Sequence, residues 1–368
     1  MREEAVLLTE RIQAYILNPM EEAPAVEEER FNRLTLELFA YQFRHQPVLR
    51  KYMQSRRRTP LTVRHWSEIP PMPIRGFKDL VLSCEPAGEA EAVFMTSGTT
   101  DPERKGRHYH PTLKVWDTSM KTAFRSYVLP NRPDMSMAVI SPAEDMNRNS
   151  SLSRYLSMAV QAFGTGKSRL FFGNEGLDRE GLKAFLGDMA ERGEPVMILG
   201  ATFAYVHLLD DLLERGLCYQ LAEGSRILDT GGFKGQSREV EMEQLYADLQ
   251  KTLGIGRSQC VNMYGMTELS SQFYDLTLSA GGGTAVKKGG RWIRTLVLDP
   301  ETLQPVRTGQ TGVLAHYDLA NWNSCLAILT EDLGRKTDEG FELLGRMEGA
   351  EAKGCSIAVD QLLQAQKG

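Results

Sequence analysis

From about residue 90 the chain repeats one pattern: a short uninterrupted apolar run, then a longer stretch in which apolar residues recur every three or four positions. A run of that length suits a strand buried on both faces, and the three-and-four spacing is that of a helix with one apolar face. Ala92–Met95, Met137–Ile140, Val196–Leu199 and Arg226–Asp229 are the strand candidates, and Ser151–Phe163, Arg179–Ala190 and Arg238–Leu253 the helix candidates. Strands that run the same way need a crossover, and a helix makes it compactly. The alternation therefore predicts an α/β fold with βαβ units around a mainly parallel sheet.

The flanks read differently. Residues 1–60 are a helical segment, with apolar stripes at Ala5, Leu8, Ile12 and Ile16 and at Phe31, Leu34, Leu38 and Tyr41. Ile69–Ile74 is rich in proline and reads as a connection. After about residue 280, Gly281–Gly283, Trp292–Leu298 and Gly312–Leu314 look like hairpin strands of a smaller β-rich part ending near 344. Lys and Arg total 43 against 48 Asp and Glu, a net charge of -5, and the only basic block is Arg56–Arg58. That balance excludes a nucleic-acid binder held by phosphate neutralisation. No apolar stretch approaches the ~18 residues of a membrane span. The start carries Glu3 and Glu4 and no apolar core, so no secretory leader is expected. The five cysteines are scattered without a CxxC pair, which fits a reducing cytoplasmic setting.

Several strings could carry chemistry. Phe94–Thr100 runs a strand into small hydroxyl residues and glycine, with Lys105, Gly106 and Arg107 just beyond. Such a loop can offer backbone N–H groups and hydroxyls to a polyphosphate, although an ordinary turn has the same composition. Gly164–Ser168 has the end of a phosphate-loop signature, but Gln161 stands where that signature needs glycine, so a helix-end turn is expected. Asp229–Gly235, Asn262–Leu269, Thr330–Arg335 and Leu344–Arg346 each have a bland reading as turns with solvated charges. His108 and His110 show no metal-ligand spacing and read as a solvated pair on a strand. Cys84, Cys218, Cys260 and Cys325 read as packing residues.

The order of these strings lifts them. Thr96–Thr100, Tyr264–Glu268, Thr330–Asp332 and Gly345–Arg346 resemble the ordered signatures of acyl-adenylate-forming enzymes. Phe31–Tyr52, Gly231–Gly235, Tyr264–Asp275 and Leu344–Ser356 bring the chain closer to the acyl-protein synthetases. Those enzymes are the fatty-acid-activating component of the bacterial luciferase fatty acid reductase complex. The resemblance implies an adenylate-forming domain over 1–344, with a short C-terminal segment 345–368 where larger relatives carry a mobile domain. ATP and Mg²⁺ are the implied cofactors.

Residue by residue, the resemblance implies that Thr96, Ser97, Gly98, Thr99 and Thr100 hold the β- and γ-phosphates. Lys105 stands near the usual loop lysine. Gly231, Gly232, Tyr264, Gly265 and Thr267 line the adenine and α-phosphate site. Glu268 helps to hold Mg²⁺, Asp332 takes the ribose hydroxyls, and Arg346 reaches ribose or phosphate. Cys355, in a Gly-Cys-Ser context, accepts the acyl group. Phe203 and Tyr205 are candidates for the acyl pocket. Asp101–Glu103 departs from the family pattern by placing carboxylates beside a polyphosphate loop.

Three functions stay open at this point. The first is acid activation followed by acyl transfer to Cys355 and on to a reductase-like or carrier partner. The second is a ligase that uses soluble coenzyme A, with Cys355 structural. The third is a catalytically degenerate subunit that binds nucleotide or acyl ligand.

Overall fold

The computed structural model describes residues 1–18, 23–96, 105–232, 237–278 and 285–347. Along the chain these form α1 (Glu3–Leu17), α2 (Pro24–His45), α3 (Pro47–Ser55), β1 (Met72–Pro73), α4 (Gly76–Asp79), β2 (Ala92–Met95), β3 (Arg107–His110) and α5 (Lys114–Tyr127). There follow β4 (Ser136–Val139), α6 (Ser151–Phe163), β5 (Arg169–Leu170), β6 (Phe172–Gly173), β7 (Gly176–Leu177), α7 (Arg179–Arg192), β8 (Val196–Ala201), α8 (Thr202–Glu214), β9 (Arg226–Thr230), α9 (Met242–Leu253), β10 (Cys260–Tyr264) and β11 (Phe273–Asp275). The last strands are β12 (Val286–Lys288), β13 (Ile293–Leu298), β14 (Thr311–Asp318), β15 (Ala327–Lys336) and β16 (Phe341–Arg346). The described residues divide into two compact units. The first takes 1–122, 266–272 and 286–347, and the second takes 123–265 and 273–285. The N-terminal helices and the late β-rich stretch, far apart in sequence, share the first unit.

The second unit is the parallel sheet that the alternation predicts. Its strand order is β11-β10-β9-β8-β4-β5, parallel from β10 to β5, with β11 antiparallel at β10. Every residue of β4, β8 and β9 is buried, the mark of strands covered on both faces. Alternate strand residues, among them Ala138, Ile198 and Ile227, pack against Leu186 of α7, Leu209 of α8 and Leu249 of α9 in one apolar cluster. The helices stop where their chemistry says they should. Asp178 caps α7 by accepting from the Gly181 N–H at 2.9 Å, and Gly193, at φ +63°, ends it in a left-handed turn. The Gly164–Ser168 string is a helix-end turn as expected: Gly164 follows α6, and Lys167 pairs with Glu194 at 2.6 Å.

The first unit is an antiparallel meander, β13-β14-β15-β16-β12, with helices α1–α3. Gln42 on α2 and Gln46, which joins α2 to α3, tie the helices to the loop after β14. Gln42 donates to the Asn321 carbonyl and accepts from the Leu326 N–H, while Gln46 donates to the Ser324 carbonyl. Four expectations need correction here. Inside the proline-rich connection, Met72 and Pro73 form a strand parallel to Ile328 and Leu329, since a short edge strand tolerates proline's missing N–H. Ala92–Met95 pairs with Arg107–His110 in a separate antiparallel hairpin rather than joining the parallel sheet. His108 and His110 are buried, not solvated. Cys84, Cys260 and Cys325 are buried as expected, but Cys218 is exposed.

Candidate active site

In the second unit the predicted residues gather at the carboxyl ends of β9 and β10, the end of a parallel sheet where ligands bind. Asn262 lies opposite Asp229 and Met263 opposite Thr230, so Gly231 and Tyr264 leave neighbouring strands side by side. The Thr230 hydroxyl donates to the Met263 carbonyl at 2.9 Å. Asp229 is fully buried and accepts from the Tyr246 hydroxyl at 2.9 Å, the Asn262 amide at 2.6 Å and the Thr202 hydroxyl at 3.2 Å. The Thr202 hydroxyl is also within 3.3 Å of the Gly231 carbonyl. Gly231 takes φ +74°, which a side chain would strain, and it is exposed, as is Gly265. Backbone N–H groups can therefore meet a ligand there without a Cβ in the way.

Phe203 is half-buried on α8 against the apolar cluster. Tyr205 lies fully buried in that cluster, and its hydroxyl donates to the Ile198 and Leu228 carbonyls at 2.7 and 2.9 Å. The Tyr205 side chain thus stitches β8 to β9.

The Tyr264–Glu268 string crosses from one unit to the other along the chain: Tyr264 and Gly265 belong to the second, Thr267 and Glu268 to the first. In the first unit the segment 266–272 has no regular strand partner and is held by side chains from distant positions. Asn321 donates to the Glu268 carbonyl at 2.9 Å and accepts from the Ser270 N–H at 2.7 Å. Asp318 accepts from the Ser271 N–H at 2.9 Å and the Ser271 hydroxyl at 2.8 Å. His108 lies 3.0 Å from the Thr267 carbonyl through Nδ1 and 2.9 Å from the Ser324 hydroxyl through Nε2. A carbonyl only accepts, so Nδ1 carries the proton and Nε2 takes the hydroxyl's. Burial holds His108 in that neutral form by pushing its pKa down to about 4.

The clamp places Glu268 beside the base of the hydroxyl loop. Thr96 and Gly106 close that base, with the Thr96 N–H donating to the Gly106 carbonyl at 3.0 Å and the Gly106 N–H donating to Thr96 Oγ1 at 2.9 Å. A Cβ on Gly106 would stand 3.2 Å from Glu268 Oε1 and 3.1 Å from Thr96 Cγ2. Lys105, half-buried, directly precedes this pair. Ser97, Gly98, Thr99, Thr100 and Cys355 lie outside the described residues. The Thr330–Arg335 and Leu344–Arg346 strings, expected as turns, lie within strands β15 and β16; Thr330 Oγ1 accepts from the Asp332 N–H at 3.1 Å and donates to the Leu314 carbonyl, which fixes the Thr-x-Asp segment of β15. Asp332 faces Arg346 across β15 and β16, and the two ion-pair at 3.5 Å with the arginine largely exposed.

Glu268 is 4% exposed, and burial raises its pKa to about 7. Its own backbone N–H and the charges of Lys78 and Arg346 work against the rise, while Asp332 adds to it. A carboxylate kept this dry is a group that a divalent cation would relieve. No cluster of three or more acidic, histidine or cysteine ligands occurs among the described residues. Magnesium uses one or two carboxylates and takes its other ligands from phosphates and water. The residues present fit the ion.

Four contributors escaped the sequence reading: Asp229, His108, Asp318 and Asn321. Only His108 left a readable signal. In a strand His108 and His110 share one face, and β3 buries that face while exposing Arg107 and Tyr109 in part.

The fold is that of the adenylate-forming acid ligases. The fold is similar to that of 2-hydroxyisobutyryl-CoA ligase in the postadenylation state with its acyl adenylate, at a TM-score of 0.65 and 12% identity over 91% of this chain and 73% of that one. The chain matches the LuxE acyl-protein synthetase family over residues 3–364 and belongs to it. It is similar to the long-chain-fatty-acid–luciferin-component ligase of Aliivibrio fischeri, at 21% identity over 95% of this chain and 93% of the relative. The Vibrio harveyi ligase of the same name matches at 22% identity over 51% of each chain. Among the described residues, no helix is long and apolar enough to cross a membrane.

Proposed function

We propose that this protein uses ATP to convert a fatty or related carboxylic acid to its acyl adenylate, then passes the acyl group to Cys355. An oxygen of the substrate carboxylate attacks the α-phosphorus, the bond to the bridging oxygen of the β-phosphate breaks, and pyrophosphate leaves. The Cys355 sulfur then attacks the acyl carbonyl, AMP departs, and the thiol proton goes to solvent. The first step brings two anions together, so its catalysis is positioning and charge neutralisation. Thr96–Thr100 and Lys105 bind the β- and γ-phosphates. Gly231, Gly232, Tyr264, Gly265 and Thr267 bind adenine and the α-phosphate, Asp332 holds the ribose hydroxyls, and Arg346 holds ribose or phosphate. Magnesium held by Glu268 and the phosphates would add positive charge at the reacting phosphorus.

The observation that carries this reading is the dry Glu268 carboxyl, clamped against Gly106 and Thr96 at the base of the hydroxyl loop. The names of the two bacterial relatives support a long-chain acid as substrate. Residues 1–344 act as the activating domain and 345–368 as the acyl-bearing segment. The acyl group moves on to a reductase-like or carrier protein in the cytoplasm, with no role for nucleic acid or membrane insertion. Labelled fatty acid and MgATP should leave a hydroxylamine-labile label on the wild-type chain and none on Cys355→Ala, while pyrophosphate release persists in both. Label retained in Cys355→Ala would remove the cysteine from the pathway, and turnover only with coenzyme A would assign the acceptor to the soluble thiol.

A further inference from the structure

The helical segment from α2 to α3 carries none of the residues assigned to ATP, magnesium or the acyl group, yet two of its side chains underlie the clamp on Glu268. They act on residues 319–326, the loop between β14 and β15, every one of which is buried. A buried loop has backbone N–H and C=O groups that no strand ladder pairs, and a side-chain amide can meet both kinds. Gln42, fully buried, does so. Its Nε2 donates to the Asn321 and Trp322 carbonyls at 2.8 and 3.1 Å, and its Oε1 accepts from the Leu326 N–H at 3.0 Å. Gln46, also buried, donates to the Ser324 carbonyl at 2.8 Å.

The loop passes both contacts on. Asn321, whose carbonyl Gln42 holds, donates through its side chain to the Glu268 carbonyl at 2.9 Å and accepts from the Ser270 N–H at 2.7 Å. Ser324, whose carbonyl Gln46 holds, turns its hydroxyl to His108 Nε2 at 2.9 Å, and His108 Nδ1 lies 3.0 Å from the Thr267 carbonyl. Two lines of hydrogen bonds, starting four residues apart, thus end on adjacent residues of the Tyr264–Glu268 string. Every residue along them is 1% exposed or less, so solvent does not compete for these partners.

We propose that Gln42 and Gln46 are positioning residues for adenylation, setting the Glu268 carboxyl at the base of the hydroxyl loop by way of residues 319–326. The inference rests on the adenylation reading above. Both glutamines act through other side chains and move no proton. A carboxylate that holds a metal ion must keep its place to within about 0.5 Å, and segment 266–272 has no strand ladder to keep it there. Loss of the Gln42 amide frees the loop to shift, and Asn321 carries the Glu268 backbone with it. The loss then falls on magnesium binding and on the rate, not on recognition of the acid.

Pyrophosphate exchange into ATP with octanoate, dodecanoate and hexadecanoate tests this in the full chain, each variant assayed well below its own thermal midpoint. Gln42→Met keeps the side-chain length and removes the amide. It should lower the exchange rate constant about tenfold, raise the half-saturating magnesium about fivefold and leave the acid KM within about threefold. Gln46→Met, the milder change, should show the same split at about threefold in rate, and it carries the test alone should Gln42→Met not fold. Leu34, buried on α2, supplies the control: Leu34→Ala loosens the helix and spares the amides, so rate and magnesium response should move less than about twofold. In an Asn321→Ala background Gln42→Met should cost less than about twofold more, because its path to Glu268 is already cut. A glutamine variant that behaves as Leu34→Ala does would overturn the assignment of that residue. Losses from Gln42→Met and Asn321→Ala that simply multiply would overturn the path through Asn321, and either result would leave the adenylation reading intact. A wild-type chain silent with all three acids would remove that reading and the positioning role with it.

Discussion

The two units position their functional residues by different physics. In the second, Gly231 and Tyr264 are where they are because two buried parallel strands end together, and backbone ladders with the Thr230 and Asp229 side chains set the register. In the first, the 266–272 segment is held by Asn321, Asp318 and His108, residues that lie some fifty to a hundred and sixty positions away. A strand end inherits its rigidity from a core. A side-chain clamp is only as rigid as the few polar groups that make it, and each of those must find its partner. The same five-residue string, Tyr264–Glu268, therefore depends on a core at one end and on a clamp at the other.

Glu268→Gln attacks the clamped end directly. It keeps the shape and removes the charge, so pyrophosphate exchange should fall roughly 100-fold while the thermal midpoint holds or rises. Asp229→Ala attacks the core end. It removes the buried acceptor of the Tyr246 hydroxyl and the Asn262 amide, at a cost of roughly 3 kcal/mol in denaturant unfolding, and it should weaken MgATP binding through the Gly231 turn. A loss of exchange without a loss of stability would show that Asp229 acts on the ligand rather than on the fold.

Buried histidine marks the first unit electrostatically. Burial pushes the His316 pKa down to about 3, so the folded chain keeps it neutral while the unfolded chain protonates near the ordinary value. Its stabilising contribution is full above the unfolded pKa and is lost as pH falls below it. Between pH 7.5 and 4.5, His316→Asn should gain on wild type by roughly 3 kcal/mol in urea unfolding free energy. An unchanged difference across that range would mean that His316 is not neutral in the fold.

The clamp itself is probed by two amides. Asparagine at position 108 can keep the donor that reaches the Thr267 carbonyl, whereas glutamine reaches towards Ser324 and gives that donor up. His108→Gln should lower exchange about tenfold relative to His108→Asn at similar stability, and a general packing role would move both alike. The smallest effect is expected at Lys167. Its pairing with Glu194 is half-exposed, and Lys167→Ala should change MgATP affinity less than about twofold.

Much of the second unit was legible because its determinants are local. Ser151–Phe163 matches α6, and the Val196 and Arg226 runs are strands that end one or two residues beyond their apolar cores. Arg238–Leu253 starts later than expected, at Met242. Gly231 could be read because a turn at φ +74° demands glycine. The first unit was harder. Met72 and Pro73 carry no strand signal of their own, and their pairing is decided by Ile328 and Leu329, far along the chain. Glu268 could be picked out by family order, but its dryness follows from packing that no spacing encodes. Asn321 has no mark in the sequence at all, since its role exists only once the loop after β14 meets the 266–272 segment.

The central claim is that this chain joins a carboxylic acid to AMP. The direct measurement is isotope exchange between pyrophosphate and ATP in the purified full chain, with and without fatty acid and with coenzyme A withheld. The account predicts exchange that requires both the acid and magnesium and that collapses in Glu268→Gln. Exchange that proceeds equally well without any acid, or that is undiminished in Glu268→Gln, would contradict it.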